Sequence, residues 1–255
     1  MKKHLILAVA ALILVPTLAF TDTISLRGGY FFPKASGGVD SLWQIEFDQM
    51  SFNKSNFNAS TFGFGYEYFV SKQLSLAISV GTYSRLKAAA YNDYAGITVD
   101  NEDWAFANDD IDGDFYIDHN FKVSITPIEL SLKLMPFGRR VKLIPYVGGG
   151  VSMLIWSAAL RGNVILFDEP TPFLDENDNE IVGYPISWAD SRENSRTAFG
   201  YHALGGLMYP IGDRITLEAE FRYRVGKGTF KDAFLDFEDF DLSGYSLTLG
   251  FNYWF

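Results

Sequence analysis

The sequence has 255 residues and a net charge of −10, and 48% of its residues are hydrophobic and 16% aromatic. It contains no cysteine, which excludes both a disulfide framework and a lipid anchor on a cysteine. The negative charge argues against nucleic acid as a partner, because binding to phosphate requires basic side chains.

The first element in chain order is a short apolar segment. Two lysines precede an apolar stretch over 5–15, which ends at Pro16. A basic start, a short apolar core and small residues after it are the parts of a secretory signal peptide. A membrane-spanning helix needs about 20 apolar residues, more than this stretch provides. The sequence therefore predicts a signal peptide over 1–19, cleaved after Ala19, and one exported domain over 20–255.

Eight segments that alternate between polar and apolar residues follow. Alternation with a period of two is typical of β-strands. The connections alternate between tight turns and long polar loops, which predicts an all-β fold, an eight-stranded antiparallel up-and-down transmembrane β-barrel with long extracellular loops. The predicted strands cover 23–32, 58–70, 74–84, 121–137, 141–160, 195–211, 214–225 and 241–255, and the predicted long loops cover 33–57, 85–120, 161–194 and 226–240.

The same alternation predicts which face of each strand meets lipid. Within 216–225, the odd-numbered residues are apolar and the even-numbered ones are polar or charged. In a barrel of eight strands the interior is narrow and is filled by side chains or one small ligand. The charged residues predicted to point into this lumen, four acidic and four basic, are Arg27, Glu67, Glu129, Lys133, Glu218, Glu220, Arg222 and Arg224.

Two interpretations of these lumen charges remain open at this stage. A charge in a low-dielectric interior costs several kcal/mol unless it is paired, which favours a salt-bridged plug. The alternative is a polar conduit whose ion pairs open and close. Glycines on the same predicted face leave room for bulky neighbours and equally for a cavity; they are Gly63, Gly65, Gly81, Gly148, Gly150, Gly206 and Gly250.

The predicted loops carry most of the acidic residues. The loop over 85–120 has nine acidic and two basic residues, and the loop over 161–194 has eight and two. The run 110–114 resembles part of a calcium-binding loop, but His119 occupies the position where an EF-hand needs glutamate. We predict solvated acidic loops, with divalent cations as a possible partner and no defined metal site.

The histidines of the sequence are the candidate general bases for a catalytic role. After the predicted signal peptide, only His119 and His202 are conventional general bases. Lipid A deacylases carry His-x-Ser on a strand, whereas here Ala203 and Leu204 follow His202. A catalytic triad, in which a serine, a histidine and a carboxylate from distant parts of the sequence meet in the fold, remains an alternative. We predict no catalytic site and no cofactor.

The last eight residues have the spacing polar-x-Gly-x-x-aromatic-x-aromatic. The matching residues are Thr248, Gly250, Tyr253 and Phe255. This resembles the β-signal that the bacterial barrel-assembly machinery recognises. Together with the segments 24–33 and 144–151, it makes the chain similar to the small outer-membrane barrels of the OmpA and OmpW type over essentially its mature length.

This resemblance implies a multi-pass protein of the bacterial outer membrane, in contact with its lipid and with periplasmic chaperones and the assembly machinery during biogenesis. The resemblance predicts the fold but says less about the function, because one fold can serve many functions. Two functions remain open: a structural or surface-interaction protein with a salt-bridged lumen, and a narrow channel or transporter for small or apolar solutes.

Overall fold

The structure is a computed structural model that describes residues 22–139, 141–175 and 178–255. The predicted signal peptide over 1–19 lies outside these residues, so its cleavage stays a prediction. Within the described ranges, no helix combines the length and apolar character needed to cross a bilayer.

Twelve strands and one short α-helix make up the described chain. In order they are β1 (Thr23–Pro33), α1 (Leu42–Gln49), a 3-10 turn (Lys54–Phe57), β2 (Ala59–Phe69), β3 (Leu74–Ala90), β4 (Tyr94–Val99), β5 (Glu102–Ala107), β6 (Asp118–Leu134), β7 (Ile144–Ile165), β8 (Thr171–Leu174), β9 (Glu180–Pro210), β10 (Ile215–Gly228), β11 (Phe240–Asp241) and β12 (Gly244–Trp254).

Eight of these strands close into a barrel. Each is hydrogen-bonded antiparallel to the next in the order β1, β2, β3, β6, β7, β9, β10, β12, and β12 pairs back with β1. Closure leaves the barrel wall without a free edge, as a spanning sheet requires in a solvent that cannot hydrogen-bond to it. The predicted eight-stranded up-and-down barrel is therefore confirmed.

Short connections join the strands at the rim that we assign to the periplasm. They link β2 to β3, β6 to β7 and β9 to β10. Gly138 lies in the second of them with φ +66°, a left-handed conformation that favours glycine. The ladder between β6 and β7 stops at Leu134 and Val147, so this connection is longer than the predicted turn at 138–140.

The predicted long loops are wrong in extent, because much of their length is strand. β7 and β9 continue as a paired hairpin well beyond the predicted ends, and β4 and β5 form a second hairpin. Asp100 and Asn101 both have positive φ at its tip, as in the turns that match strand twist. Hydrogen bonding between strands continues outside the membrane because nothing at the bilayer surface ends a ladder.

The alternation places side chains as predicted. On β6, Leu130 and Leu132 are exposed on the outer surface, whereas Ser131 between them is buried. On β10, the even-numbered residues from Thr216 to Arg224 are buried and the odd-numbered ones from Ile215 to Tyr223 are exposed. The outer surface is thus apolar where lipid surrounds it, and the polar residues lie in the lumen.

Candidate functional site

The lumen brings all eight predicted charged side chains together. They come from β1, β2, β6 and β10, and each is at most 8% exposed. They form one connected set of ion pairs, which we call the central ionic layer. Because four are acidic and four basic, the layer as a whole is neutral.

Lys133 is the first centre of this layer and is completely buried. Its Nζ lies 3.1 Å from Glu67, 3.4 Å from Glu218 and 3.7 Å from Glu220. Arg27 reaches the same region from β1 and contacts Glu218 at 3.1 Å and Glu220 at 3.2 Å. Two cations therefore share three carboxylates.

Glu129 is the second centre. Its carboxylate accepts a hydrogen bond from Arg222 and another, at 2.9 Å, from Arg224. Arg222 also contacts Glu220 at 2.7 Å, which links the two centres. Breaking ion pairs that are buried this deeply strongly destabilises the fold, since removal of one partner leaves an uncompensated charge in a low-dielectric interior.

Neutral side chains that were not among the predicted lumen residues complete this layer. The Tyr146 hydroxyl, with one proton to donate, lies within hydrogen-bonding distance of both Glu218 and, at 2.9 Å, Glu220. Ser75 donates to Glu67, and Ser152 donates to Glu129 at 3.3 Å. The alternation could have identified Tyr146, because it lies two residues before the lumen-facing Gly148 on β7 and therefore points to the same side of the strand.

A serine, a histidine and a glutamate do meet in the lumen. His202 lies 2.8 Å through Nε2 from the Ser131 hydroxyl and 2.9 Å through Nδ1 from the Ser152 hydroxyl. Its Nδ1 is 3.8 Å from Glu129, beyond hydrogen-bonding distance. Ser131 and His202 are 1% and 3% exposed, so a substrate reaches this serine only if the barrel opens.

Above the central ionic layer, the barrel mouth is filled by the extracellular aromatic layer, which we define as Trp43, Phe57, Phe121, Trp156 and Phe240. The Trp43 ring belongs to α1 and lies 4.9 Å from Phe240, 5.0 Å from Phe57 and 5.4 Å from Phe121, centre to centre. Trp156 stacks on Phe240 at 5.5 Å. The helix thus supplies the central ring of a packed cluster.

Polar contacts fix α1 in the mouth. Trp43 Nε1 donates to the backbone oxygen of Asp241 at 3.0 Å. Glu46 lies 2.9 Å from His119 Nε2 on β6, and both side chains are buried. His119, one of the two predicted candidate bases, therefore connects the helix to the barrel wall.

Below the central ionic layer, apolar side chains fill the periplasmic end. This periplasmic apolar layer consists of Phe69, Met135, Ile144, Met208 and Trp254. The rings of Phe69 and Trp254 stack at 5.0 Å. The Arg139 guanidinium covers them, at 4.3 Å from the ring centre of Phe69 and 5.4 Å from that of Trp254.

A family model for the outer membrane protein beta-barrel domain matches residues 5–255. The chain belongs to this family. The match supports location in the bacterial outer membrane and contact with its lipid. No curated protein sequence matches the chain significantly.

Solved structures of outer-membrane barrels are similar to this family member. They include Neisserial surface protein A, with 14% identity and a TM-score of 0.46 over 92% of this chain and 97% of that one. Another is OprG from Pseudomonas aeruginosa, with 14% identity and a TM-score of 0.44 over 91% and 95%. The N-terminal barrel domain of OprF from the same organism has 12% identity and a TM-score of 0.42 over 92% and 97%.

Three residues of the carboxy-terminal motif of this outer-membrane barrel are in β12, and Phe255 follows the end of the strand. Thr248 and Gly250 face the lumen, and Tyr253 and Phe255 are exposed. A Cβ on Gly250 would lie 2.8 Å from Arg27 Cγ, so the glycine leaves room for a member of the central ionic layer. Recognition of this motif by an assembly machine stays a prediction.

The acidic extracellular segments form no metal centre within the described ranges, where no three Asp, Glu or His side chains come close enough to hold an ion. Of the loop aromatics, Trp104 and Phe106 pack on Phe173, at 4.9 and 5.2 Å. Trp188 is 64% exposed.

Glu193 attaches the last extracellular loop to β9. One carboxylate oxygen accepts from the backbone N–H groups of Lys231 and Asp232, at 3.0 and 2.9 Å, and the other from Arg196 at 2.5 Å. Burial alone would raise the pKa of Glu193, but these hydrogen bonds hold it below the ordinary glutamate range.

Glu193→Gln is expected to loosen this loop. Because the folded pKa is depressed, the contribution of the carboxylate to stability is full above the unfolded value of about 4.3 and is lost as pH falls through the folded value. At pH 7 we expect amide hydrogen exchange of Lys231 and Asp232 to be about tenfold faster in the variant. The difference should shrink in acid, and Glu180→Gln on the exposed part of β9 is the control. Equal exchange in variant and parent at pH 7 contradicts the attachment.

Proposed function

We propose that the protein is a plugged, non-conducting outer-membrane barrel with a structural or surface-interaction role. The observation that carries this proposal is that side chains fill the lumen at three successive levels. The periplasmic apolar layer, the central ionic layer and the extracellular aromatic layer are stacked along the barrel axis. An ion or solute would have to displace at least one buried ion pair and two apolar layers to cross.

The extracellular part supports the surface role. The paired extension of β7 and β9 and the hairpin of β4 and β5 give the outer end a defined shape rather than that of free loops. The regions 85–120 and 161–194, which contain this extension and this hairpin, carry 17 of the 31 acidic residues, together with exposed apolar side chains at Tyr116, Leu174 and Trp188. Exposed apolar side chains on an acidic surface fit contact with a partner molecule or, through divalent cations, with anionic lipid head groups.

The proposed biogenesis follows from the ends of the chain. We propose that residues 1–19 direct export and are removed, and that the carboxy-terminal motif is recognised by periplasmic chaperones and the barrel-assembly machinery. The proposed role is non-enzymatic, because the buried serine and histidine pair of the lumen has no access for a substrate.

Conductance tests this function. The refolded mature chain is expected to give no discrete current steps in planar bilayers, and Arg222→Ala is expected to stay silent because both apolar layers remain. The control is Arg214→Ala, which changes an arginine outside the lumen. The heat-dependent shift in gel mobility confirms folding in every sample. Discrete steps in the folded parent would contradict the plug and favour a channel.

A second candidate function, passage of small apolar solutes through the barrel wall, is favoured by one observation. The ladder between β3 and β6 runs from Leu74 to Val80 and resumes at Tyr83, so Gly81 and Thr82 are unpaired on this side. Pro127, opposite Gly81, has no N–H to donate. Uptake of a fluorescent apolar probe into proteoliposomes, compared between the parent and Pro127→Ala, tests this route. Equal uptake in both and in empty liposomes contradicts it.

A further inference from the structure

A small cavity lies at the lumen wall beside the central ionic layer. Its volume is about 50 Å³, enough for roughly three or four water-sized groups. Gly63 and Gly81 leave this space, because a Cβ on them would meet only Val80 O at 3.3 Å and Pro127 Cγ at 3.2 Å as its nearest neighbours. The cavity is too small for a sugar or an acyl chain.

The charges that line the cavity do not balance. Arg27, Arg222 and Arg224 line it, but only Glu129 and Glu220 do so among the acidic residues. Of the other two lumen carboxylates, Glu67 contacts Lys133, and Glu218 contacts both Lys133 and Arg27. Among the side chains that line the cavity itself, three guanidinium groups therefore face two carboxylates.

The lining still has a buried donor available for a ligand. Both oxygens of Glu129 and both of Glu220 already accept hydrogen bonds. Arg222 Nε is buried and has no acceptor in the part of the chain that the structure describes. A guanidinium has no acceptor, and the Ser79 hydroxyl in the same lining accepts from Arg222 Nη1 at 3.2 Å and is able to donate its own proton.

We propose that this cavity is a binding site for one small monovalent anion of halide size, held by Arg222 Nε and the neighbouring guanidinium groups. The size of the cavity excludes an organic solute, and the three guanidinium groups of its lining, with the N–H of Arg222 Nε that is unpartnered among the described residues, favour an anion over a cation. The anion completes the hydrogen bonding of the buried arginine and fixes the wall of the lumen next to Gly63 and Gly81. This site is independent of whether the barrel conducts.

Thermal unfolding of the refolded parent in detergent tests the site. In about 100 mM chloride the midpoint is expected to lie about 2–4 °C above that in gluconate at equal ionic strength, because a ligand bound only to the folded state raises its stability. Arg222→Lys, which keeps the charge but removes the Nε donor, is expected to lose this shift.

Glycine variants separate the cavity from the charge. Gly63→Ala narrows the cavity and should reduce the chloride shift, whereas Gly205→Ala should retain it. Gly205 faces outward, and a Cβ there would meet its nearest atom at 3.6 Å. This pair also tests the site if Arg222→Lys fails to fold.

Crystals of the parent soaked in bromide provide the direct observation. An anomalous peak within hydrogen-bonding distance of Arg222 Nε supports the site. No peak there, together with equal midpoints in chloride and gluconate, overturns it and leaves water as the occupant of the cavity.

Discussion

Lys133→Met is expected to lower the free energy of unfolding of the barrel by about 3–5 kcal/mol, the cost typical of breaking a buried ion pair by removing one partner. The ammonium group of Lys133 is shared by Glu67, Glu218 and Glu220, and it is the only cation that contacts Glu67 among the ion pairs of the described residues. Methionine fills a similar volume but neutralises no charge. Glu218 and Glu220 would keep their arginine partners, whereas Glu67, a buried carboxylate, would lose the cation that contacts it.

Urea unfolding of the refolded protein in detergent, followed by tryptophan fluorescence, measures the change. Lys122→Met is the matched control, because Lys122 is on the same strand and is exposed on the outer surface. Adding Glu67→Gln to Lys133→Met is expected to restore part of the loss, since one unpaired carboxylate is removed. A loss below about 1 kcal/mol in Lys133→Met, the range of an exposed pair, would show that the centre is hydrated rather than buried.

Trp43→Ala is expected to cost about 3–5 kcal/mol as well, through the cavity that it leaves among packed rings. The Trp43 ring contacts Phe57, Phe121 and Phe240, and its indole N–H donates to Asp241 O. Without this ring, the remaining buried side chains of α1 are Leu42 and Glu46, which contacts His119. An isolated helix of eight residues is not stable in water.

Limited proteolysis from the extracellular side reports on the helix separately from the barrel. The segment around α1 should be cut much faster in Trp43→Ala, while the gel-mobility shift of the barrel persists. The matched control is Trp188→Ala, because Trp188 is exposed on the surface of β9. Unchanged cleavage around α1 in Trp43→Ala would show that the helix is held by other contacts.

The sequence allowed the lumen residues to be predicted, because a period of two assigns each side chain to one face. Thr216 to Arg224 alternate without interruption, and a one-residue error would have reversed every assignment. Which cation meets which carboxylate could not be predicted. The pairing of Arg27 with Glu218 depends on how far β1 is displaced along β12, and alternation contains no information about that displacement.

The extracellular end was predicted less well than the barrel. The hairpin of β4 and β5 could have been found, since Asp100-Asn101 is a turn pair between β-branched residues and an aromatic run. The helix α1 could not, because its buried face of Leu42, Trp43 and Glu46 is stabilised by side chains from distant strands. His119 and Glu46 are far apart in sequence and meet only in the folded mouth.

Four members of the central ionic layer lie on β10, and Arg27, which meets two of them, lies on β1. Those two strands are brought together only when β1 pairs with β12. A shift of two residues at that seam would keep every side chain on its proper face and preserve the backbone ladder, but it would carry Arg27 away from its carboxylates. The ion pairs thus select the register in which the barrel closes. They favour the correct register of β1 and β12 over registers shifted by two residues, which hydrophobicity alone would allow.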